Sequence, residues 1–477
     1  MSSIYVGLIV GYLLGMLALG FYANRKQKNM DDYYVAGRRL GAFSIMCLWL
    51  ASWIGGASVV GSANTAYNMG ITAIWYVGTV AFGCILFALL FTHLVKKIGD
   101  KLKHITYPDL IEERYDVRCR VIATITTILA YIAYTAGQLA AAGSILHVLL
   151  GWELQVAFFV AAFVVIVYTA TGGFLAVTYT DWVQCILLLL GVAVIGVPIA
   201  WGAVGGFAGL QAALPATHFD IGAWGWATIL GLIVTITFSF FTTMDSYTRT
   251  FAARDFKAAR NGTLLAALGV GVIALAATFL GMSAAVLFPE GAGSSAMATL
   301  IIEFFPIGIK GLVLVGILAA IMSTADICIL VASANITRDI YHRYINPNAS
   351  DKLLLKVGMI SSVAIGVLGG FMALQMMDII NILYIAFTIN SAGLFIPTIA
   401  ALYWRKANSS AAFWSMTLSL ITVLVWYLGG TYGWAPIFSV DPVWPGLIVS
   451  AIIFIPMSYF KTPTEIEIQK ANNYINI

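Results

Sequence analysis

The sequence predicts an all-α membrane protein that crosses the bilayer many times. Of its 477 residues, 61% are hydrophobic and 10% are charged, and the mean hydropathy is +0.93. A chain with so little polar surface cannot fold as a water-soluble globule. Apolar segments, most of them about as long as the roughly 20 residues that a spanning helix needs, recur along the whole chain. These two observations together give the fold class.

Thirteen spans are predicted, at about 4–23, 43–66, 72–95, 121–150, 154–171, 180–203, 222–248, 260–287, 307–335, 354–376, 379–403, 410–429 and 443–460. The first is an uncleaved helix rather than a signal peptide, because basic residues follow it and none precede it. The longest outer connections, 203–221 and 288–306, have room for short surface helices. Asp378 fits a helix cap.

The basic residues predict the orientation of these spans. Of the 25 Lys and Arg residues, 24 fall in six groups that thirteen spans place on one side: 25–39, 96–120, 249–260, 338–356, 405–406 and 461–470. Only Lys310 falls near the other face. Because basic loops stay in the cytoplasm, the N-terminus is predicted outside and the C-terminus inside.

Several functional classes are excluded by what the sequence lacks. The five cysteines are scattered without a CxxC pair, and the five histidines form no HExxH motif or cluster. No GxxxxGK[ST] loop is present, so ATP does not power this chain. An enzyme would need a convergent catalytic set, and a sensor would need a signalling domain. No nucleic acid or obligate protein partner is indicated.

The stretch from Gly316 to Tyr341 carries polar groups where a bilayer offers them no partner. Ser323, Thr324 and Asp326 lie near the middle of this apolar run. On a helix, Ala320, Ser323 and Thr324 stand at i, i+3 and i+4, so one carbonyl and two hydroxyls share a face. That set suits a small hard cation. Alternatively, the Thr324 hydroxyl simply bonds back to the Ala320 carbonyl.

Four stretches in order resemble the sodium/solute symporter family, which includes proline, pantothenate, choline, sialic acid and sodium/glucose transporters. They are Asp31–Gly41 (DDYYVAGRRLG), Gly172–Gln184, Ala319–Tyr341 and Pro397–Ala407. No single stretch is decisive, but together they span most of the chain.

The resemblance implies a leucine-transporter-like fold with two inverted five-helix repeats and a broken first helix in each repeat. The parts would be an additional helix at 1–24, the repeats at 41–203 and 222–404, two further helices at 409–460 and a cytoplasmic tail at 461–477. Gly55 and Gly56 fit the first break, since adjacent glycines favour an interruption. They also fit a close approach of neighbouring helices.

By similarity, one sodium ion would be held by the carbonyls of Ala51, Ile54 and Ala320 and the hydroxyls of Ser323 and Thr324. Asp181 and Asp326 would mark the sodium exit or a second site. Asp326 and Ile327 stand where family members place hydroxyls, which leaves a second ion open. Asp181 also fits a cap at a helix N-terminus.

The solute site implied by the fold draws on the broken helices and their neighbours: Ser52, Trp53, Trp75, Tyr76, Gln138, Thr242, Asp245 and Asn390. Alternative roles stay open for some of these residues. Trp49, one turn from Trp53, suits helix packing, and Asp245 with Arg249 suits a structural i,i+4 ion pair. Trp53 and the following residues also look like the choline-transporting branch, where aromatic rings hold a quaternary ammonium.

The predicted function is sodium-coupled uptake of a small organic solute, an amino acid or amine, by alternating access. Sodium is the coupling ion, and the protein lies in the plasma membrane, as in a prokaryotic inner membrane. Uptake of a carboxylate, vitamin or sugar acid stays open, as does a sodium pathway without coupling.

Overall fold

The computed structural model describes residues 3–289, 296–375 and 379–475, and helix is the regular structure throughout these ranges. Within them, one bridge between Leu40 and Ala253 is the single β contact. The all-α prediction is confirmed. Residues 290–295 of the second outer connection and the cap predicted at Asp378 lie outside the described residues.

The described ranges contain twenty-one α-helices. The first eleven are α1 Ser3–Asn24, α2 Met30–Val35, α3 Ala42–Trp53, α4 Ser62–Met69, α5 Ile74–Leu86, α6 Thr92–Leu102, α7 Tyr107–Arg114, α8 Val117–Leu150, α9 Leu154–Leu188, α10 Val197–Val204 and α11 Gly206–Ala213. The others are α12 Trp226–Phe240, α13 Met244–Ala252, α14 Phe256–Leu287, α15 Ala296–Phe304, α16 Ile307–Ala334, α17 Asp351–Gln375, α18 Ile379–Tyr403, α19 Ser409–Thr431, α20 Val443–Phe460 and α21 Glu465–Ile475. Helices α11 and α15 are the surface helices expected in the two outer connections. Four π-helical segments adjoin the longer helices, at Ala57–Gly61, Phe87–Phe91, Leu189–Gly196 and Asn335–Ile345.

Ten helical segments of the described ranges are long and apolar enough to cross a bilayer, and the bent pair of α12 and α13 makes an eleventh. The difference from the thirteen predicted spans lies in two long segments. Ser58–Leu102 has 45 residues and Leu154–Val204 has 51. At about 1.5 Å per residue, each is more than twice as long as the hydrocarbon core of about 30 Å is thick. The count of thirteen stays a prediction.

A glycine in a left-handed conformation interrupts each of these long segments. Gly70, between α4 and α5, has φ +75° and ψ −143°, and Gly173, within α9, has φ +54° and ψ −159°. A Cβ on Gly70 would lie 2.0 Å from the carbonyl oxygen of His218. Other residues adopt such dihedral angles only at a cost. Both glycines lie where the sequence predicts a connection between two spans.

Two helices are broken within the membrane region, as the resemblance implies. Helix α3 ends at Trp53, Ile54 has φ −104° and ψ 74°, and helical structure resumes with the segment Ala57–Gly61. Helices α12 and α13 are separated by three residues and bent by 42°. The predicted break at Gly55 and Gly56 is confirmed, and a second break lies in the stretch predicted as the first helix of the second repeat.

Helix α16 lies at the centre of the bundle. In the span that includes α16, 89% of the residues in its most apolar stretch are buried, whereas the corresponding share is 28% in the spans of α1 and α20. It packs against α3, α8, α9 and α17. The polar residues of α16 therefore face other helices rather than lipid. Polar partners on those helices lower the free-energy cost of placing such side chains within the membrane.

Helix α7 ties together the helix ends on the face predicted to be cytoplasmic. Asp109 of α7 pairs with Arg120 of α8 at 2.8 Å, and Arg120 also contacts Asp339 beyond α16. Arg114 donates to the carbonyl of Trp404 after α18 at 3.0 Å. Burial acts to raise the pKa of Asp109, but Arg120, Arg338 and the hydrogen bond from the Ile105 amide together outweigh burial, and the pKa lies at about 2. This carboxylate therefore stays ionised at every physiological pH.

We predict that Gly70→Ala lowers the melting temperature of the purified protein by several degrees. Alanine would adopt a left-handed conformation at a cost of about 1–2 kcal/mol and would also meet the His218 carbonyl. The control is Gly78→Ala in α5, where the nearest atom to a new Cβ is 4.0 Å away. Equal melting temperatures for the two variants in detergent would contradict the strain assigned to Gly70.

Candidate functional site

Four of the five oxygens predicted to bind sodium lie together where α3 is broken. The Ser323 hydroxyl donates to the carbonyls of Ala51 at 2.8 Å and Ala320 at 2.9 Å. The Thr324 hydroxyl lies 3.4 Å and 3.1 Å from the same two carbonyls. The alternative of simple back-bonding to Ala320 is therefore only part of the arrangement, because both hydroxyls also reach across to α3.

The spacing of these oxygens fits a hard cation. Oxygens about 2.4 Å from such an ion, at right angles to each other, are about 3.4 Å apart. The separations of 2.8 to 3.4 Å found here need only a small widening. No carboxylate belongs to the set, so an ion would be held by neutral oxygens and released readily.

The fifth predicted ligand is less closely placed. Among the hydrogen bonds of the described residues, none from Ser323 or Thr324 reaches the Ile54 carbonyl. Ile54 itself has left the helical conformation, which frees its carbonyl from the ladder of α3. Its role as a ligand stays a prediction. Glycine is favoured at the next position, because a Cβ on Gly55 would lie 2.5 Å from the Gln138 side-chain oxygen and 2.8 Å from the Thr324 hydroxyl oxygen.

Asp181 and Asp326 are both completely buried. Asp326 accepts a hydrogen bond from the Tyr168 hydroxyl at 2.8 Å. Neither carboxylate oxygen of Asp181 has a hydrogen-bond partner among the described residues. The interpretation of Asp181 as a helix cap is wrong, because it lies inside α9, past the interruption at Gly173. Its part in sodium exit or a second site stays a prediction.

A cavity of about 40 Å³ adjoins the oxygen cluster. Its lining comes from the broken helices and from α5, α8, α16 and α18: Ser52, Trp53, Gly55, Ser58, Tyr76, Tyr131, Tyr134, Gln138, Thr243, Asp245, Thr324, Ile327, Cys328, Leu383 and Phe387. This volume holds a few water molecules at most. A solute would have to enlarge it through movement of the surrounding side chains.

Five of the eight residues predicted for the solute site line this cavity: Ser52, Trp53, Tyr76, Gln138 and Asp245. The Gln138 side chain also accepts a hydrogen bond from the Gly56 amide at 3.2 Å and so caps the interrupted helix. The other three do not line it. The Trp75 indole donates a hydrogen bond to the Ile221 carbonyl at 2.9 Å. The Thr242 hydroxyl donates to the Ser239 carbonyl, three residues earlier, at 3.2 Å. Asn390 is buried.

Trp53 is held by stacked rings rather than presented as an open platform. Phe240 stacks on it with centroids 3.8 Å apart, and Phe387 stacks on it at 5.6 Å. Trp49 also stacks on Phe240, at 5.7 Å, and receives the Arg249 guanidinium over its ring at 4.8 Å. The interpretation of Trp49 as a packing residue is confirmed.

Asp245 does two things at once. Its carboxylate lines the cavity and pairs with Arg249 at 2.7 Å, so the predicted i,i+4 ion pair is present. Tyr131 donates a hydrogen bond to the same carboxylate. Arg249 also donates to the Ser52 hydroxyl at 2.6 Å. Because Arg249 is fully buried, this pair fixes Asp245 and Ser52 against each other across the break in α3.

The tyrosines of α8 were missed by sequence reasoning. Tyr131, Tyr134 and Gln138 stand at i, i+3 and i+7, so they share one helical face. Only Gln138 was singled out, and the same spacing would have led from it to both tyrosines. No sequence pattern indicates that Phe387 and Thr243 line the cavity, because phenylalanine and threonine are common in apolar segments.

Known proteins with a similar fold or sequence are transporters. A solved Na+-coupled sialic acid symporter, in a substrate-bound outward-open state, has a similar fold with a TM-score of 0.84 at 22% identity, covering 97% of this chain and 99% of its own. The osmoregulated proline transporter OpuE of Bacillus subtilis is 27% identical, over 94% of this chain and 93% of its own length. The sodium/proline symporter of Salmonella typhimurium is also 27% identical, over 95% and 92%.

The fold is thus that of leucine-transporter-like secondary transporters. The model of the sodium:solute symporter family matches residues 33–419, and the chain belongs to that family. It is accordingly a multi-pass membrane transporter and not an enzyme, and sodium is its coupling ion.

We predict that Arg249→Met lowers the melting temperature strongly, because it leaves the Asp245 carboxylate buried without its cation. Breaking a buried ion pair from one side costs about 3–5 kcal/mol. The double variant Asp245→Asn/Arg249→Met removes both charges and should recover much of the loss, measured by thermal unfolding in detergent. An additive double variant would contradict direct coupling between the two residues.

Proposed function

We propose that this protein is a sodium-coupled symporter that imports an amino acid or a related amine by alternating access. The observation that carries the proposal is the shared position of Thr324, which belongs to the oxygen cluster and also lines the cavity. An ion and a solute bound there would be neighbours. Each would then raise the affinity for the other by the same factor, which is the thermodynamic requirement for coupling.

The lining of the cavity favours a zwitterion. Of the described residues that line it, Asp245 is the one carboxylate, and none is Lys, Arg or His. The nearest cation is Arg249 behind the lining, and it is already paired with Asp245 and bonded to Ser52, so an anionic solute would find no unpaired protein cation there. A zwitterion can direct its ammonium towards the tyrosines and the Asp245 oxygen that Tyr131 contacts, and its carboxylate towards a sodium ion beside Thr324. The proline transporters among the relatives support the same solute class.

The proposed sodium ligands are the carbonyls of Ala51, Ile54 and Ala320 and the hydroxyls of Ser323 and Thr324. For the solute, the proposed ligands are Ser52, Trp53, Tyr76, Gln138 and Asp245, to which we add Tyr131 and Tyr134. Trp75, Thr242 and Asn390 stand outside the cavity and would take part only after rearrangement.

We further propose thirteen spans, with the N-terminus outside and the C-terminus inside the plasma membrane. Dividing the two long segments at Gly70 and Gly173 brings eleven spans to thirteen. The breaks at 54–56 and 241–243 support two inverted repeats, at 41–203 and 222–404, because each falls in the first helix of its half.

A sodium gradient is sufficient to drive such uptake. One charge crossing about 100 mV releases about 2.3 kcal/mol, and a tenfold sodium gradient adds about 1.4 kcal/mol. Together these support roughly 500-fold accumulation of a net neutral solute for each sodium ion.

We predict that Ser323→Ala raises the sodium concentration for half-maximal stabilisation by roughly 5- to 150-fold. Losing a polar contact to the ion costs about 1–3 kcal/mol. The measurement is sodium-dependent thermal stabilisation of the purified protein. The control is Ser333→Ala, the same change on the same helix, where the hydroxyl bonds Gly358 and Tyr34 instead. Sodium activation that is unchanged in Ser323→Ala would refute the site.

We predict that one solute of a mixed panel accumulates in proteoliposomes only under an inward sodium gradient. The panel contains proline, choline, betaine, pantothenate, sialic acid and short carboxylates. Accumulation of a carboxylate without an amine would overturn the solute class. Sodium entry that no solute changes would instead indicate a sodium pathway without coupling.

We predict that Trp53→Ala changes the apparent affinity for the transported solute more than it changes the sodium dependence. Trp53 lines the cavity, whereas its side chain has no contact with the hydroxyls of Ser323 or Thr324 among the described hydrogen bonds. Competition by the same panel measures the change. A competition profile identical to that of the unmodified protein would remove Trp53 from the site.

A further inference from the structure

A second cavity lies far from the solute site, on the surface that faces lipid. It has a volume of about 690 Å³ and lies between α9 and α17, lined by Ala170, Thr171, Met359, Ile360, Val363, Ala364, Val367 and Leu368. Ile360 is 69% exposed and Val367 is 58% exposed, so the groove is open along its length. The Thr171 hydroxyl is bonded within its own helix, which leaves almost no polar group free in the groove.

Lysines continue the outer wall of this groove towards the end of α17 that we predict to be cytoplasmic. Lys352, Lys356, Ile360, Val363 and Val367 are spaced by four, four, three and four residues. Residues at this spacing share one face of a helix. Both lysines are exposed, one and two turns before the apolar part of the face begins. The face therefore changes from positive charge to a lipid-facing apolar groove.

The loop after α1 meets the same end of the groove from the other wall. The Tyr33 hydroxyl donates to the Ala170 carbonyl at 2.9 Å, and the Gln27 side chain donates to the Gly172 carbonyl. Lys28 follows in this loop and is exposed. The groove thus ends between basic residues of α17 and a basic loop.

The positive charge at this end is not neutralised by acidic neighbours. Asp31 and Asp32 of the loop pair with Arg38 and Arg39, at 3.5 Å and 2.9 Å. Lys28, Lys352 and Lys356 take part in none of the ion pairs found among the described residues. Asp351 is the first residue of α17 and lies next to them, but with one negative and two positive charges this end of the helix keeps a net positive charge.

We propose that this groove is a binding site for one anionic glycerophospholipid of the cytoplasmic leaflet. One acyl chain lies along the apolar wall from Ile360 to Leu368, and the phosphate lies at Lys352 and Lys356. The positive end of the α17 dipole adds to the attraction. Basic sites between spanning helices on this side of a membrane suit anionic headgroups. The assignment to the cytoplasmic leaflet rests on the proposed orientation, whereas the groove and its charge are independent of the solute and of the sodium site.

The test is lipid binding to the purified protein, measured by native mass spectrometry. Phosphatidylglycerol and phosphatidylcholine with identical acyl chains are titrated separately, so that the lipids differ only in the headgroup, which is anionic in the first and zwitterionic in the second. We expect tighter binding of phosphatidylglycerol. The double variant Lys352→Gln/Lys356→Gln should weaken it at least tenfold, from about fivefold for each lysine near a charged surface. Val363→Trp should weaken both lipids by filling the groove.

Helix α14 offers matched controls. Lys257→Gln/Arg260→Gln removes one exposed and one half-exposed basic residue from the N-terminal end of this helix, and Leu268→Trp introduces the same indole at a position that is 69% exposed. Lys257 and Leu268 are eleven residues apart, as are Lys352 and Val363. The melting temperature of each variant shows whether it is folded.

Three results would overturn the proposal. The first is equal affinity for the two lipids with no effect of the lysine variant, which would make the groove an ordinary lipid boundary. The second is equal weakening by the α14 controls, which would reduce the effect to overall charge. The third is a dimer in the native spectra that Val363→Trp separates, which would assign the groove to a second copy of the chain.

Discussion

The structure depends on two hydroxyls that provide hydrogen bonds to a backbone carbonyl at a helix break. Helix α3 stops at Trp53, and a backbone carbonyl freed inside a membrane needs a partner because no water is available. Ser323 and Thr324 supply one by bonding the Ala51 carbonyl. This contact holds the interruption in α3 against the central helix α16. A Cβ at position 55 would crowd both the Gln138 side chain and the Thr324 hydroxyl, which favours glycine there.

The same contact links the two ligands of the proposed transport cycle. The oxygens that would hold sodium are also those that join α3 to α16, so the ion can favour one relative position of these helices. The cavity begins one side chain away, at Ser52 and Thr324. A ligand shifts an equilibrium only through its different affinities for the two states. An ion placed between two helices and a solute placed beside it both meet that condition.

Buried charge elsewhere in the bundle is handled by pairing. Arg249 is fully buried, and its charge is met by Asp245, the Ser52 hydroxyl and the Trp49 ring. Arg120 is met by Asp109 and Asp339, which joins α7 and α8 to the end of the central helix. Such pairs cost desolvation but leave few alternative arrangements. These pairs fix the relative positions of the helices that they join and add little net stability. One pair lies at the proposed site and the other at the face predicted to be cytoplasmic.

The sequence by itself determined the fold class, nearly all of the helical segments, the break at Gly55 and Gly56, and the face shared by Ala320, Ser323 and Thr324. The fold class, the helical segments and the shared face follow from hydropathy and helical periodicity, which are local properties, and the break follows from the adjacent glycines together with the resemblance to the family. It did not determine which aromatic rings stack on Trp53, that Asp245 both lines a cavity and pairs with Arg249, or that Asp181 lies inside a helix. Each of these depends on which segments meet across the bundle. Contacts between residues far apart in the chain leave no periodic signal in a single sequence, so only the tertiary structure decided them.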